Sequence, residues 1–409
     1  MSARKPRVLI VSSVVPAEDR GGGCLALYRH FYERRDFEVA VASRFLQRGV
    51  CEQEYLMRVP RLWALARKTP LGRLLENIDY LRAERILPAG LLKFARRWQP
   101  DLIFSVADDL HAMIGYRLAR QLTIPYVVDF QDLFAYSNFN SKKQRPYRLL
   151  KALLLTRYRK LQSEADAVFH TSKGMREWFG TSARGDVLYP IGATDINGRQ
   201  TEHAPPVDRL TLVYAGNCYG PYGAMMRKLA QLLIGHSHLS LAVYSMGVDW
   251  PAGDIARFTR AGIYHGFVPF HQLEQKLIRA DAFLVAMSFR PEDRTFVETS
   301  FTTKWLDYAA CARPILVWAP AYSTAARFAR ETGAGLLVDD PAPAAVVGAA
   351  EALMLDPNRW NAAANAAAQA SADDLNSERL HALLRSTLCA LIDPSRDPRT
   401  KACPNDQSL

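Results

Sequence analysis

Short apolar runs alternate with helical stretches along this chain, stop at a polar segment near its middle, and then begin again. In the first half the strand candidates are Val8–Val11, Glu38–Ala42, Leu102–Ser105, Tyr126–Asp129 and Ala167–His170, with a helical stretch at Leu25–Tyr32. Short apolar runs separated by helices belong to parallel strands covered on both faces, because each crossover needs a helix. The polar segment Thr194–Arg209 contains Pro205-Pro206 and reads as a linker. Beyond it, Leu210–Tyr214, Leu239–Tyr244, Ala282–Ala286, Ile315–Trp318 and Gly335–Val338 read as strands. Ala224–Ile234, Leu273–Arg279, Lys304–Cys311 and the alanine-rich Ala344–Leu355 read as helices. With 409 residues the chain exceeds one ordinary core and suits two domains of about 200 residues. The expected architecture is α/β, with two Rossmann-like domains: residues 1–200 and 201–370. Residues 371–409 supply a helix packing back toward the first domain and a polar tail from about Pro394, within a helical stretch that spans Ala362–Leu391.

The charge is unevenly spread. The net charge is +11, yet residues 1–200 hold 33 Lys+Arg against 20 Asp+Glu, and the remainder is close to balance. Such asymmetry points to a polyanionic partner for the first half. Arg58–Arg97 carries 10 basic and 3 acidic residues, with Leu71, Leu74, Leu75 and Ile78 at helical spacing. Lys142–Lys160 carries 8 basic residues and no acidic one, interleaved with Leu149, Leu150, Leu153, Leu154 and Tyr158. Basic amphipathic helices with Trp63 and Trp98 nearby suit an anionic membrane surface. They also suit helices packed on the domain whose basic side chains snorkel to water. Aromatics are not arranged as a stacking platform, so nucleic acid is not expected as a partner. No apolar run approaches the length that spans a bilayer, and no signal peptide is read at the start. A cytoplasmic protein, peripheral on the inner face of the plasma membrane, is expected. The six cysteines are scattered without metal-type spacing.

Several polar residues fall where strands end. Gly21, Gly22 and Gly23 follow the first strand and precede a helix, where backbone can approach a phosphate closely. A tight turn reads equally well there, and no GxGxxG dinucleotide fingerprint is present. Gly216 and Asn217 end the strand that opens the second half, with Arg227 and Lys228 on the following helix. Thr302-Thr303-Lys304 opens another helix, and the threonines are expected to cap it with their hydroxyls. Lys304 there makes an anion site, and Asp307, nearly one turn on, reads either as an acceptor for ribose hydroxyls or as a first-turn carboxylate that only stabilises the helix. In Asp129-Phe130-Gln131-Asp132, alternation puts Asp129 and Gln131 on one side, with Asp132 at the strand end. A carboxylate at that position can act as a general base or simply cap a helix. Asp108, Asp109 and His111 follow the preceding strand. The aspartate pair lacks a completed ligand set, so no metal is expected.

These segments together resemble the GT-B glycosyltransferases, in particular the group 1, family 4-like class of bacterial polysaccharide and glycoconjugate enzymes. The resemblance is carried by RVLIVSSVVPAEDRGGG, QPDLIFSVADDLHAMIGYRLARQLTIPYVVDFQDLF, LTLVYAGN, YHGFVPFHQLEQKLIRADAFLVAMS and FTTKWLDYAACARPILVWAP, in the family's order. It implies two domains facing across a cleft and transfer from a nucleotide-sugar donor, a UDP-sugar, which is a substrate; no cofactor is implied. Gly21–Gly23, Gly216 and the basic helix after it would approach the donor diphosphate, Phe267-Val268 the nucleobase. Lys304 resembles the family's phosphate-binding lysine and Asp307 its ribose-binding acid. The N-terminal domain would bind a lipid-linked or glycan acceptor, with Asp108, Asp109, His111 and Gln131 on that side. Retaining members carry two glutamates separated by seven residues; here those positions are Thr299, beside Glu298, and Asp307. Many carry histidine where this chain has Gln131. The DFQD stretch is similar instead to that of the xanthan glucuronosyltransferase type, which implies Asp132 as base of an inverting transfer without metal. A nucleotide-sugar 2-epimerase on the same fold and a non-catalytic nucleotide-binding protein are the alternatives.

Overall fold

The structure is a computed structural model and describes residues 4–20, 22–46, 53–58, 65, 78, 81–82, 85–107, 110–133, 136, 148–192 and 205–393. The chain divides into two compact units. The first comprises Met1–Glu18, Gly23–Tyr189 and Arg379–Leu409; the second comprises Asp19–Gly22 and Pro190–Glu378.

The first unit is built on a seven-stranded sheet whose paired strands are all parallel. Its strands are β1 (Arg7–Val11), β2 (Glu38–Ser43), β3 (Gln53–Leu56), β4 (Leu102–Val106), β5 (Tyr126–Phe130), β6 (Ala167–His170) and β7 (Asp186–Val187), in the order β3-β2-β1-β4-β5-β6-β7. Its helices are α1 (Gly23–Tyr28), continued by a π-helical turn at Arg29–Glu33, α2 (Ala89–Trp98), α3 (His111–Leu122), α4 (Arg148–Glu164) and α5 (Lys173–Trp178). Central strands carry uninterrupted apolar runs because both faces are covered: Val8, Leu9, Ile10 and Val11 of β1 are all fully buried. Leu9, Ile103, Val128, Leu118 and Leu161 belong to one continuous core.

The second unit repeats the plan with β8 (Leu210–Ala215), β9 (Leu239–Tyr244), β10 (Tyr264–Gly266), β11 (Ala282–Ala286), β12 (Ile315–Trp318) and β13 (Leu336–Val338). The order is β10-β9-β8-β11-β12-β13, again parallel. Helices α6 (Gly220–Leu233), α7 (Ala252–Arg260), α8 (Phe270–Ile278), α9 (Arg294–Thr299), α10 (Lys304–Ala310), α11 (Thr324–Thr332), α12 (Pro343–Leu355) and α13 (Pro357–Ala372) belong to it, and α14 (Ser377–Ile392) follows. Both sheets thus share the doubly wound order in which the winding reverses beside the first strand, and both units are Rossmann-like.

Three strands escape the sequence reading: β3, β7 and β10. All three lie at sheet edges, where no continuous apolar run is required; none of the residues of β3 or β10 is fully buried. The chain leaves the first unit at Tyr189, ahead of the boundary expected at 200, and residues 194–204 of the expected linker lie outside the described residues. The helical stretch expected as one piece at Ala362–Leu391 is two helices, α13 and α14. The break falls where Leu375 N donates to Ala370 O and ends the first. From Arg379 onward α14 clusters with the first unit, where His381 meets His30 and Asp36.

Candidate active site

Ligands of doubly wound sheets bind beyond the carboxyl ends of the strands, where the strand order reverses. In the second unit that point lies between β8 and β11. Gly216 follows β8 with φ +151°, a conformation that favours glycine. A Cβ there would lie 2.3 Å from Lys304 Cε and 2.7 Å from Nζ, so the missing side chain is the space the lysine occupies. The ammonium lies 5.0 Å from the centroid of the Tyr214 ring. Burial lowers the Lys304 pKa to about 8, and among the described residues no carboxylate contributes to its shift. An ammonium held in a partly dry site without a counter-charge is a site prepared for an anion.

Two tyrosines hold the β8 loop in this shape. Tyr308 Oη, on α10, accepts from Ala215 N at 2.7 Å, and its ring stacks on Phe283 of β11 at 4.3 Å. Tyr214 Oη donates to Asn217 O at 2.6 Å. The Asn217 side chain turns back to accept from Tyr219 N, and Asp249 Oδ2 accepts from Gly220 N at the start of α6. Tyr308 and Asp249 were not legible as supports in the sequence, since each acts on backbone far away in the chain.

Not every expected residue joins this cluster. Thr303 stands at the N-cap of α10, but its hydroxyl makes no capping bond. The turn is closed instead by Trp305 N to Thr302 O and Leu306 N to Thr303 O, which corrects the expected hydroxyl cap. Arg227 is engaged elsewhere, in an ion pair with Asp254 of α7. Asp307 is half-buried on α10 beside Tyr308 and Cys311. Phe267 follows β10 with its ring exposed, and Val268 beside it is half-buried. At the first of the two positions where the family resemblance places glutamates, Thr299 donates its hydroxyl to Thr295 O, and Glu298 beside it pairs with Arg294.

In the first unit the carboxyl ends of β1 and β5 bring a second cluster together. Gln131 Nε2 donates to Asp129 Oδ2 at 2.8 Å, as the alternation along β5 implies. A Cβ at Gly23 would lie 2.0 Å from Gln131 Oε1, so this glycine lets the amide lie over the loop after β1. Asp129 is buried, and burial, reinforced by the Asp132 charge, raises its pKa to about 7. Asp132 itself is half-buried. His111, the first residue of α3, is buried, and its Nε2 accepts from Arg44 N. Gly22 has φ +66°. Gly21, Asp108 and Asp109 lie outside the described residues, as do much of Arg58–Arg97 and the start of Lys142–Lys160. Among the described residues no group of three or more His, Cys, Asp or Glu is placed to hold a metal ion.

Two Rossmann-like units, each with polar residues gathered at the carboxyl ends of its strands, define the GT-B class. Residues 24–187 match the family described as glycosyl transferase 4-like domain. No curated protein matches the sequence. Among solved structures, the chain is similar to sucrose-phosphate synthase from Thermosynechococcus elongatus, with TM-score 0.65 and 13% identity over 96% of this chain and 100% of that one. It is also similar to Anabaena HepE in complex with UDP, with TM-score 0.60 and 15% identity over 94% of this chain and 100% of that one. A glycosyltransferase from Rickettsia africae gives TM-score 0.61 and 10% identity over 97% of this chain and 100% of that one. The first unit thus carries a glycosyl transferase 4-like domain, which marks a glycosyltransferase, and the chain has the GT-B fold of these structures.

Proposed function

We propose that the protein transfers a sugar from a UDP-sugar to a lipid-linked or glycan acceptor in bacterial polysaccharide or glycoconjugate synthesis, without a metal ion or cofactor. The observation that carries the donor half is the Lys304 ammonium, without a carboxylate partner among the described residues and packed against Gly216 beyond β8. It takes the donor diphosphate, with Gly216 and Asn217 beneath it, Asp307 on the ribose and Phe267-Val268 at the base. The uridine choice is supported by the similar HepE structures, which were solved with UDP and with UDP-glucose. In the first unit Asp132 acts as general base and Gln131 and His111 lie on the acceptor side. The acceptor hydroxyl attacks the anomeric carbon while its proton passes to Asp132. The bond to the phosphate oxygen breaks, and UDP leaves with the electron pair, its charge offset by Lys304.

Thermal stabilisation by UDP, GDP, ADP and NAD, each with wild type and Lys304→Ala, tests the donor half. At a hundred times its dissociation constant a ligand adds about 2.7 kcal/mol, a shift of a few degrees. Stabilisation by UDP that the variant loses supports the reading; stabilisation by NAD alone, or by none of the four, overturns it. Asp132→Asn is expected to abolish transfer while UDP still stabilises.

The acceptor half draws on the basic first unit. Leu56, Leu65, Leu81 and Ile86 are exposed among basic residues of and beside Arg58–Arg97, a pattern suited to an anionic lipid surface. No helix among the described residues is long and apolar enough to cross a membrane. Co-sedimentation with anionic but not zwitterionic vesicles, lost in 0.5 M-scale salt as screening shortens to a few ångströms, is the expected result. Equal behaviour with both vesicle types removes the membrane from the reading.

A further inference from the structure

The first unit ends β5 with two carboxylates, and they stand in different surroundings. Asp129 is 5% exposed. Its Oδ2 accepts from Gln131 Nε2, while its Oδ1 is buried and has no hydrogen-bond partner among the described residues. An ionised carboxylate placed this way leaves charge on an oxygen that neither water nor protein solvates, so the neutral acid is strongly favoured. A proton on Oδ1 leaves Oδ2 as a carbonyl oxygen, which still accepts from Gln131. Asp132 is half-buried and keeps access to solvent.

Among the described residues few other titratable groups bear on Asp129. On the neighbouring strand β6, His170 is in register with Phe130, stacks on that ring and bonds to Gln162. It therefore belongs with Phe130, on the sheet face opposite Asp129. On the other side, β4 contains no titratable residue. His111 at the start of α3 is taken up by Arg44 N. Among the described residues the ionisable neighbour that acts on Asp129 is Asp132, and its charge adds to burial in raising the Asp129 pKa to about 7.

We propose that Asp129 and Asp132 hold a single proton between them at neutral pH, the proton on Asp129 and the charge on Asp132, so that Asp129 is a positioning residue that keeps the base ionised. The inference rests on the reading of Asp132 as the base. When Asp132 takes the acceptor hydroxyl's proton, both groups are neutral and the field that held the proton on Asp129 disappears. One proton then leaves the pair for solvent, and the starting state returns. Pairs whose environments push their ionisations apart divide acid and base roles in this way, and such a pair titrates as a unit.

Carboxyl 13C NMR of the aspartate-labelled full chain tests the pair, with Asp129→Asn assigning the signal. The expected result is one aspartate titrating near pH 7, absent from Asp129→Asn and moved to lower pH in Asp132→Asn. If no aspartate titrates within about a unit of neutral pH, or if Asp132→Asn leaves the titration where it was, the pair does not exist. Should Asp129→Asn fail to fold, the comparison of wild type with Asp132→Asn still decides. In turnover, Asp129→Asn is expected to alter the pH profile of kcat around neutral pH, where the wild-type acid ionises and the amide does not; an unchanged profile overturns the inference. Full activity of Asp132→Asn would instead defeat the base reading, a result the NMR titration does not depend on.

Discussion

Gly216 and Lys304 share one space: a side chain on the first would begin 2.3 Å from the Cε of the second. Gly216→Ala therefore has two costs, the φ of +151° and the displacement of the lysine. The expected outcome is a loss of about 1–3 kcal/mol of stability, with UDP-induced stabilisation reduced to near that of Lys304→Ala. Thermal unfolding with and without UDP measures both. An alanine variant that binds UDP as wild type does would show that Lys304 need not occupy this position.

Donor binding should weaken as the solution becomes alkaline. Burial lowers the Lys304 pKa from its ordinary value to about 8, so above that pH the free protein increasingly presents a neutral amine. The same shift fixes the sign for stability. A lysine depressed on folding costs stability while charged, and the cost is relieved as pH rises from about 8 toward the unfolded value. The ligand-free protein should thus gain stability over that window relative to Lys304→Met, while the dissociation constant for UDP rises up to about tenfold per unit. Calorimetric binding and unfolding at pH 7 through 10 check the two trends together.

Tyr308→Phe removes the hydroxyl that accepts from Ala215 N while leaving the ring stacked on Phe283. The amide is left without that acceptor next to the loop that carries Gly216. The expected cost is about 1–2 kcal/mol in stability, with a larger proportional loss in kcat/KM as the loop loosens. Equal Tm values for the two proteins would show that water replaces the hydroxyl.

The parts of the fold that could be read from the chain are those whose identity is local. The strands at Leu239–Tyr244, Ala282–Ala286 and Ile315–Trp318 stand where their apolar runs begin and end, because interior parallel strands have no polar face. The pairing of Asp129 with Gln131 followed from alternation alone. Lys304 and Gly216 were visible because one opens a helix and the other ends a strand. What holds them is not local: Tyr308 lies 93 positions from the amide it supports, and Asp249 lies 29 from Gly220. No period or motif encodes such partners. The different burial of Asp129 and Asp132 was also out of reach, because the fold, not residue type, separates two aspartates three positions apart.

The C-terminal helix should loosen in mild acid. His30, on the π-helical turn after α1, is buried against His381 of α14, with the two Nδ1 atoms 3.3 Å apart. His381 Nε2 lies 2.6 Å from Asp36 Oδ2 and donates to it, so its Nδ1 in the neutral ring is an acceptor. His30 Nδ1 then carries the hydrogen and its Nε2 is the bare nitrogen. Burial, with repulsion from His381 and Arg34, holds the His30 pKa well below its ordinary value. Because the unfolded chain binds this proton more readily, the contribution is present above the unfolded value near 6.5 and is lost as pH falls below it. Hydrogen exchange in α14, corrected for intrinsic rates, should accelerate by up to about tenfold per pH unit below that point. In His30→Phe the dependence should flatten. Exchange in α14 that keeps the wild-type pH slope in that variant would place the sensitivity outside His30.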